Sequence, residues 1–443
     1  MLNIVDEKGL RILKKINSAL LVLFFLCTTV LVLLRIQSAI NEIHNTSGDQ
    51  FYYLNEAIKL SEHGAYKVMS EGTSIVYSLI VLLFSKITSL KFLVVGKLMN
   101  FFFLPATGVL FYLLSRAVFK ANKEFSVFIS TLYVLSFQHY CFKMLSDITN
   151  NFFLISGLLI FFLSQKNKKS KRTLLITISA ILFSISIGIR PTSILFSLAF
   201  IAALFLIKEI SLKQKAIFLI VVTICFVVLQ LPSILEKQEI SFENKNKKWQ
   251  GKEKVNKSVS WEQINSYYVL FPERHKKKSK FLIDVKEVEE FYKNNPGELP
   301  ATTVQILLKN PKKTIFQLIR NWKQINTYFW SPFGLNMLAN SVLITIISFI
   351  LTPLIIIYFF LKLKTELSFK ITALTLSSYL IMLLYFSIAL IESNWVFVCV
   401  PFFLLWFYKC IHCKKHYSLV FTYLILINTL SCLLTINYIY STL

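Results

Sequence analysis

Glycine and acidic residues are scarce in this chain, and the motifs that announce soluble chemistry are missing. Its 443 residues include 11 glycines. None of them falls into a P-loop, a Rossmann fingerprint or a Gly-x-Ser-x-Gly elbow, so nucleotide-driven and serine-hydrolase chemistries have no support. The seven cysteines lie mainly in or beside apolar runs and form no extracellular disulfide framework. No internal repeat or low-complexity linker divides the chain. No cleavable signal peptide is expected either. Lys8, Arg11, Lys14 and Lys15 precede Ser18 to Ile36, an apolar run without a small-residue cleavage site that reads as an uncleaved first span.

What the chain has in quantity is apolar surface. Hydrophobic residues make up 55% and the mean hydropathy is +0.61, more than a soluble core needs. The formal charge of +25 would suggest nucleic acid in a soluble protein. Here the lysines lie mostly between apolar runs and in one long loop, so membrane topology accounts for them and no nucleic-acid partner is expected. The predicted class is an all-α membrane protein, a multi-pass helical bundle.

Basic clusters at 8–15, 116–123, 166–172, 208–215, 362–370 and 409–415 alternate with loops poor in Lys and Arg. Apolar runs of about 17 to 25 residues separate them. Eleven spans are predicted, at 18–37, 92–115, 125–142, 148–165, 173–189, 192–207, 216–235, 338–361, 371–391, 395–411 and 417–438. With the N-terminus cytoplasmic, the odd count places the C-terminus outside, in a cell inner membrane. Val76 to Thr88 is too short to span and is laid in the outer interface. The alternative is that 76–90 crosses and 92–115 breaks at Pro105.

This divides the chain into an N-terminal transmembrane module (1–235), a large extracytoplasmic loop (236–337) and C-terminal transmembrane helices (338–443). The first outer loop, 38–75, holds an amphipathic helix at about 51–62, with Phe51, Leu54 and Ile58, joined by Tyr53 and Ala57, on its apolar face and Lys59 and Glu62 toward water. The large loop is read as irregular from Glu236 to Lys280. It is read as helical from Val285 to Lys293 and from Thr302 to Trp330, with a break at Pro311.

The candidate site starts from Asp49, in Gly48-Asp49-Gln50-Phe51-Tyr52-Tyr53. Carboxylates near a bilayer are costly and tend to be functional, although Asp49 would equally serve as an N-cap for the helix after it. Ser146-Asp147 opens an apolar segment, where Asp147 reads as a second acid or as a cap. Arg190 in Gly188-Ile189-Arg190-Pro191-Thr192 falls at an outer helix junction, suited to a phosphate or to snorkelling to headgroups. Glu392, in Glu392-Ser393-Asn394-Trp395 with Pro401 beyond, lies between two apolar spans. His139 either faces the same cavity or is a satisfied structural histidine. The cluster Cys410-Ile411-His412-Cys413 with His416 has a superficial zinc-like spacing, but it lies in a basic cytoplasmic loop and is not assigned a metal.

Asp49 followed by Tyr52, Ala57, Leu60, Gly64 and Tyr66 resembles the first external loop of the GT-C glycosyltransferases, integral membrane enzymes that use polyprenyl-phosphate sugars. Asp147, Arg190 and the Glu392 stretch fall where that family carries an acid, a basic residue and a late Glu-x-Arg-Tyr pattern. The resemblance implies transfer of a sugar from a polyprenyl-phosphate donor to a glycolipid, glycan or protein acceptor on the outer face. It implies Asp49 and Asp147 as catalytic residues, and Tyr52, Tyr53, His139, Arg190 and Glu392 as substrate-binding residues. Gln50 stands where relatives often carry a second acid, and Asn394-Trp395 replaces Arg-Tyr. A divalent metal stays open, with no ligand set assigned. The alternative reading is a flippase, exporter or polymerase of lipid-linked oligosaccharides. A transporter would carry mid-span polar residues or two related halves, and neither is evident.

Overall fold

The computed structural model describes residues 7–41, 43–44, 50–71, 74–238, 247–250, 253–256, 259, 261–271, 285–300, 303–330, 366–386, 396, 398–411 and 417–442. Asp49, Glu392, the expected span 338–361 and residues 412–416 of the cysteine–histidine cluster lie outside them. The first nine helices are α1 (Glu7–Asn41), α2 (Gln50–Ser70), α3 (Val76–Thr88), α4 (Phe92–Leu113, prolonged by a π turn to Val118), α5 (Lys123–Ser136), α6 (Ser146–Ser164), α7 (Lys169–Ile189), α8 (Ser193–Leu206) and α9 (Leu212–Lys237). A two-stranded antiparallel hairpin follows, β1 (Lys247–Gln250) against β2 (Glu253–Asn256). The remaining described helices are α10 (Trp261–Leu270), α11 (Val285–Asn294), α12 (Thr303–Lys309), α13 (Pro311–Trp330), α14 (Leu367–Phe386), α15 (Val400–Ile411) and α16 (Tyr417–Thr442).

Among the described residues, six helices are long and apolar enough to cross a bilayer, drawn from α1, α4, α6, α7, α9 and α14. The protein is thus helical and multi-pass in character, with six such helices among the described residues, which leave out the expected span 338–361. Two expected spans are shorter than the sequence suggested. Region 125–142 forms α5, of 14 residues, and 192–207 forms α8, also of 14 residues. At about 1.5 Å per residue each is about 21 Å long, against a hydrocarbon core of about 30 Å. Asn122 opens α5 by accepting the Phe125 amide at 2.8 Å. The helix stops at Ser136 because the apolar run continues into a tighter 3₁₀ turn, Gln138–Tyr140. In the large loop, α11, α12 and α13 fall where helix was expected, and Pro311 starts α13. The stretch read as irregular contains the hairpin and α10, whose Ile264, Tyr267 and Tyr268 are buried with Val288 of α11 and Leu299.

Polar contacts sort the helix ends into two groups. At one end, Ser18 donates to Glu124 at 3.3 Å, the Asn122 amide to the Tyr408 hydroxyl at 3.1 Å and Lys166 to the Ala117 carbonyl at 2.6 Å. Lys409 pairs with Glu366 and Lys370 with Glu209 at that end too. Asn17 of α1 donates to the Ser418 carbonyl of α16 at 3.2 Å and accepts from Thr422 at 2.5 Å. At the other end, Arg35 donates to Gln138, the Met144 amide to Gln50, and Ser74 to the Gly188 carbonyl. The basic clusters therefore gather at one end of the bundle, the grouping that charge alternation requires. Helix α3 has both ends at the opposite end. Val76 lies against Gly188, and the Ser85 end flanks a groove shared with α2 and the start of α4.

Close approaches fix the crossings. Ser179 of α7 donates to the Gly157 carbonyl of α6 at 2.8 Å, and a Cβ on Gly157 would lie 2.8 Å from the Phe183 ring. Ser130 of α5 donates to the Gly108 carbonyl of α4 at 2.7 Å. Small residues with a hydroxyl facing a carbonyl let helices meet where lipid offers no hydrophobic drive. Next to the first crossing, Phe161, Phe183, Phe200 and Phe218 bring α6, α7, α8 and α9 together. Their ring centroids lie 5.2 Å apart for Phe161–Phe200 and 4.8 Å for Phe183–Phe200.

Candidate functional site

The head of α6 is the polar centre of the end opposite the basic clusters. It reads Ser146-Asp147-Ile148-Thr149-Asn150-Asn151, and all six residues are buried. Leu145 precedes it in extended conformation and offers no side-chain cap. Asp147 is therefore not the cap expected from sequence. It sits inside the first turn, where its charge complements the helix dipole. Its partner is the Arg190 guanidinium, which ends α7, and the two side chains are 8% and 17% exposed. Arg190 Nε also donates to Thr192 at 3.2 Å.

Asn150 ties three helices together. Its Oδ1 accepts from Ser186 of α7 at 2.7 Å and from Ser193 of α8 at 2.8 Å. Beside it, Asp147, Asn151, Arg190, Thr192 and Tyr379 help line a cavity of about 20 Å³. That is room for about one water, not a sugar ring. On the other side, Asn100 of α4 donates to the Lys143 and Leu145 carbonyls, both at 2.6 Å, and accepts from Thr149 at 3.0 Å. These bonds hold the turn into α6 against α4.

Helix α2 docks onto this floor. The Gln50 side-chain oxygen accepts the Met144 amide at 3.0 Å, and the Tyr53 hydroxyl lies 2.6 Å from that of Ser146. The Tyr53 ring meets Tyr52 and the buried Tyr77 edge-on, at 5.1 and 5.0 Å. The face of α2 differs from the expectation. Gln50, Glu56, Ala57 and Leu60 are buried, because α2 packs on α3 and α9. Lys59 pairs with Glu71 at 2.9 Å. Leu54 and Ile58 instead line a mostly apolar groove of about 460 Å³ with His44, Ser85, Lys91 and Phe92. The helix also runs on past the expected residue 62, bending at Gly64 with φ 78° and ψ 167°.

The structure thus pairs Asp147 with Arg190 and sets Tyr53 against Ser146, the residue before Asp147, with Tyr52 edge-on to Tyr53. His139 is elsewhere. It contacts Gln138 at 3.0 Å, and Gln138 accepts from Arg35 at 3.1 Å. Desolvation of its ring, then the nearby Arg35 and Lys143, pulls the His139 pKa from its usual 6.5 to about 4. The ring is neutral at physiological pH and brings no charge to a phosphate. The first amides of α8 are engaged: those of Ser193, Ile194 and Leu195 donate to the carbonyls of Arg190, Pro191 and Thr192. A helix N-terminus is therefore not available as an anion cradle beside Arg190.

Sequence reasoning missed Gln50, Glu56, Lys97, Asn100, Asn150 and Asn151, all buried at this end. The run of polar residues opening an apolar span at 146–151 was the visible signal, together with Lys97 and Asn100 one turn apart inside α4. Among the described residues, no group of three or more His, Cys, Asp or Glu side chains gathers as a metal site. Comparison of the chain with protein-family models, curated proteins and solved structures finds no match.

Proposed function

We propose that the protein is a membrane glycosyltransferase that takes a sugar from a polyprenyl-phosphate donor. The observation that carries this reading is the docking of α2, the helix that directly follows Asp49 in sequence, onto Met144 and Ser146, the residues leading into the buried Asp147–Arg190 pair. The apolar groove beside α2 supports it, being of a size and lining suited to a prenyl chain. In this reading Asp49 takes the acceptor's hydroxyl proton as its oxygen attacks the anomeric carbon. The bond from that carbon to the donor phosphate breaks, and polyprenyl phosphate leaves with the electron pair. Arg190 stabilises the leaving charge with its planar fork, exchanging part of its hold on Asp147 for a phosphate oxygen. Asp147 positions that guanidinium before the donor arrives. Because the cavity is smaller than a sugar, donor binding has to widen it at its walls on α6, α8 and α14. The basic end would face the cytoplasm and the site end the outer surface of a cell inner membrane.

The test uses protein in nanodiscs with a panel of polyprenyl-phosphate hexoses and pentoses and measures free polyprenyl phosphate. A glycosyltransferase releases it, and Asp49→Asn lowers release by about 10²–10⁴-fold. Movement of intact lipid-linked sugar across the bilayer without release would establish transport instead. Near-normal release by Asp49→Asn would remove the base assignment.

A further inference from the structure

Helix α13 is built inside out. Its buried face carries Thr314, Gln317 and Asn321, with Gln317 donating to Asn321 at 3.0 Å and Thr314 to the Asn310 carbonyl at 2.8 Å. Its open face carries Ile315, Phe316 and Ile319, and Phe316 is 62% exposed. Leu308, at the end of α12, continues the apolar surface and is 74% exposed. Positions 315, 316 and 319 fall on one side of a helix, and Lys312 and Lys323 share that stripe. Arg320 and Lys313 flank it.

The charge around the stripe has one sign. Lys309, Lys312, Lys313, Arg320 and Lys323 lie within it or beside it, and no Asp or Glu occurs between Glu298 and Glu366. At its far end α13 joins the bundle: Ile325 is fully buried in the main apolar core, and α13 contacts both α14 and α15. Ile325 lies on the same side as Thr314 and Asn321, so α13 is anchored in the bundle through its buried face while the apolar stripe stays open.

We infer that α12 and α13 lie on the bilayer, with Ile315, Phe316 and Ile319 in the acyl boundary and the flanking lysines and arginine at anionic headgroup phosphates. An apolar stripe bordered only by cations is what an interfacial helix requires, and such helices sit about 5–10 Å into the headgroup region. Long basic side chains at the stripe's edge reach up to the phosphates while their stems cover apolar surface. An acidic protein partner would also satisfy the charge. It would not account for an open apolar stripe on a helix whose opposite face is anchored in the membrane bundle. The inference is independent of the proposed enzymatic function.

The experiment places an environment-sensitive bimane label at Phe316→Cys in the full chain, one copy per nanodisc, with phosphatidylglycerol present. The labelled wild-type chain supplies the background from native cysteines. A label at Glu290→Cys, exposed on α11, is the aqueous reference. A second label at Ile319→Cys guards against a local defect at 316. The expected result is strong quenching at 316 and 319 by nitroxide-labelled acyl chains and weak quenching by iodide, with the reverse at 290. Replacing phosphatidylglycerol with phosphatidylcholine should reduce acyl-chain quenching severalfold. Iodide quenching at 316 equal to that at 290 would overturn the inference by showing the face open to water. Protection from both quenchers would overturn it by showing that protein, either another segment or a second copy, covers the stripe. Acyl-chain quenching unchanged in phosphatidylcholine would overturn the role of the anionic headgroup.

Discussion

Replacing Arg190 with methionine takes the cation away from an Asp147 carboxylate that is only 8% exposed. Removing one member of a buried ion pair costs about 3–5 kcal/mol, because the remaining charge keeps its desolvation and loses its compensation. The adjoining cavity has room for about one water, which places the expected loss toward the lower figure, about 3 kcal/mol. Asp147→Leu strands a guanidinium that cannot shed its proton, so its loss should be at least as large. The double variant, Asp147→Leu with Arg190→Met, removes both charges and should be more stable than either single one. Steric trapping in bicelles would give the four unfolding free energies, and the double-mutant cycle should show coupling of about 3 kcal/mol. Coupling below about 0.5 kcal/mol would mean that the two side chains act independently. A donor phosphate would then not have to compete with Asp147 for the guanidinium.

Two further outcomes are expected. Gly64→Ala should cost about 1–3 kcal/mol in the same assay, because φ 78° with ψ 167° is a region that only glycine enters readily and an added Cβ meets nothing within 4 Å. A variant of unchanged stability would show that the bend is not required. Membrane-impermeant thiol reagents on intact cells should label Ser61→Cys, on α2, and leave Lys168→Cys, between α6 and α7, untouched. The opposite pattern would invert the orientation proposed for the two ends.

The break read at Pro311 is where α13 opens, whereas the capping box of Ser211 with Gln214 that starts α9 went unread. The basic clusters also gave the grouping of helix ends correctly, because charge asymmetry is a property of loops rather than of packing. What could not be read was any pairing across the bundle. Asp147 and Arg190 are 43 residues apart, and no local rule links an acid in a first helical turn to an arginine at another helix's end. Helix α10 was missed for a related reason. Its neighbours are lysine-rich, and the value of Tyr267 and Tyr268 as core residues emerges only when Val288 and Leu299 close over them. The expected face of α2 assumed a lipid surface beneath it. Protein covers the helix instead, so Gln50 and Glu56 are buried along with Ala57, and Leu54 and Ile58 turn to the groove.

The pairing of α1 with α16 has a consequence for how the molecule comes into being. Asn17 finds its partners, Ser418 and Thr422, across 401 and 405 residues of chain. An asparagine side chain on a helix facing lipid is a liability until those hydroxyls and the Ser418 carbonyl arrive. Until α16 arrives, α1 is held sideways by contacts such as Ser18 with Glu124. Docking of α16 then completes the bonds of Asn17. A fault in α16 would therefore show as a loose α1.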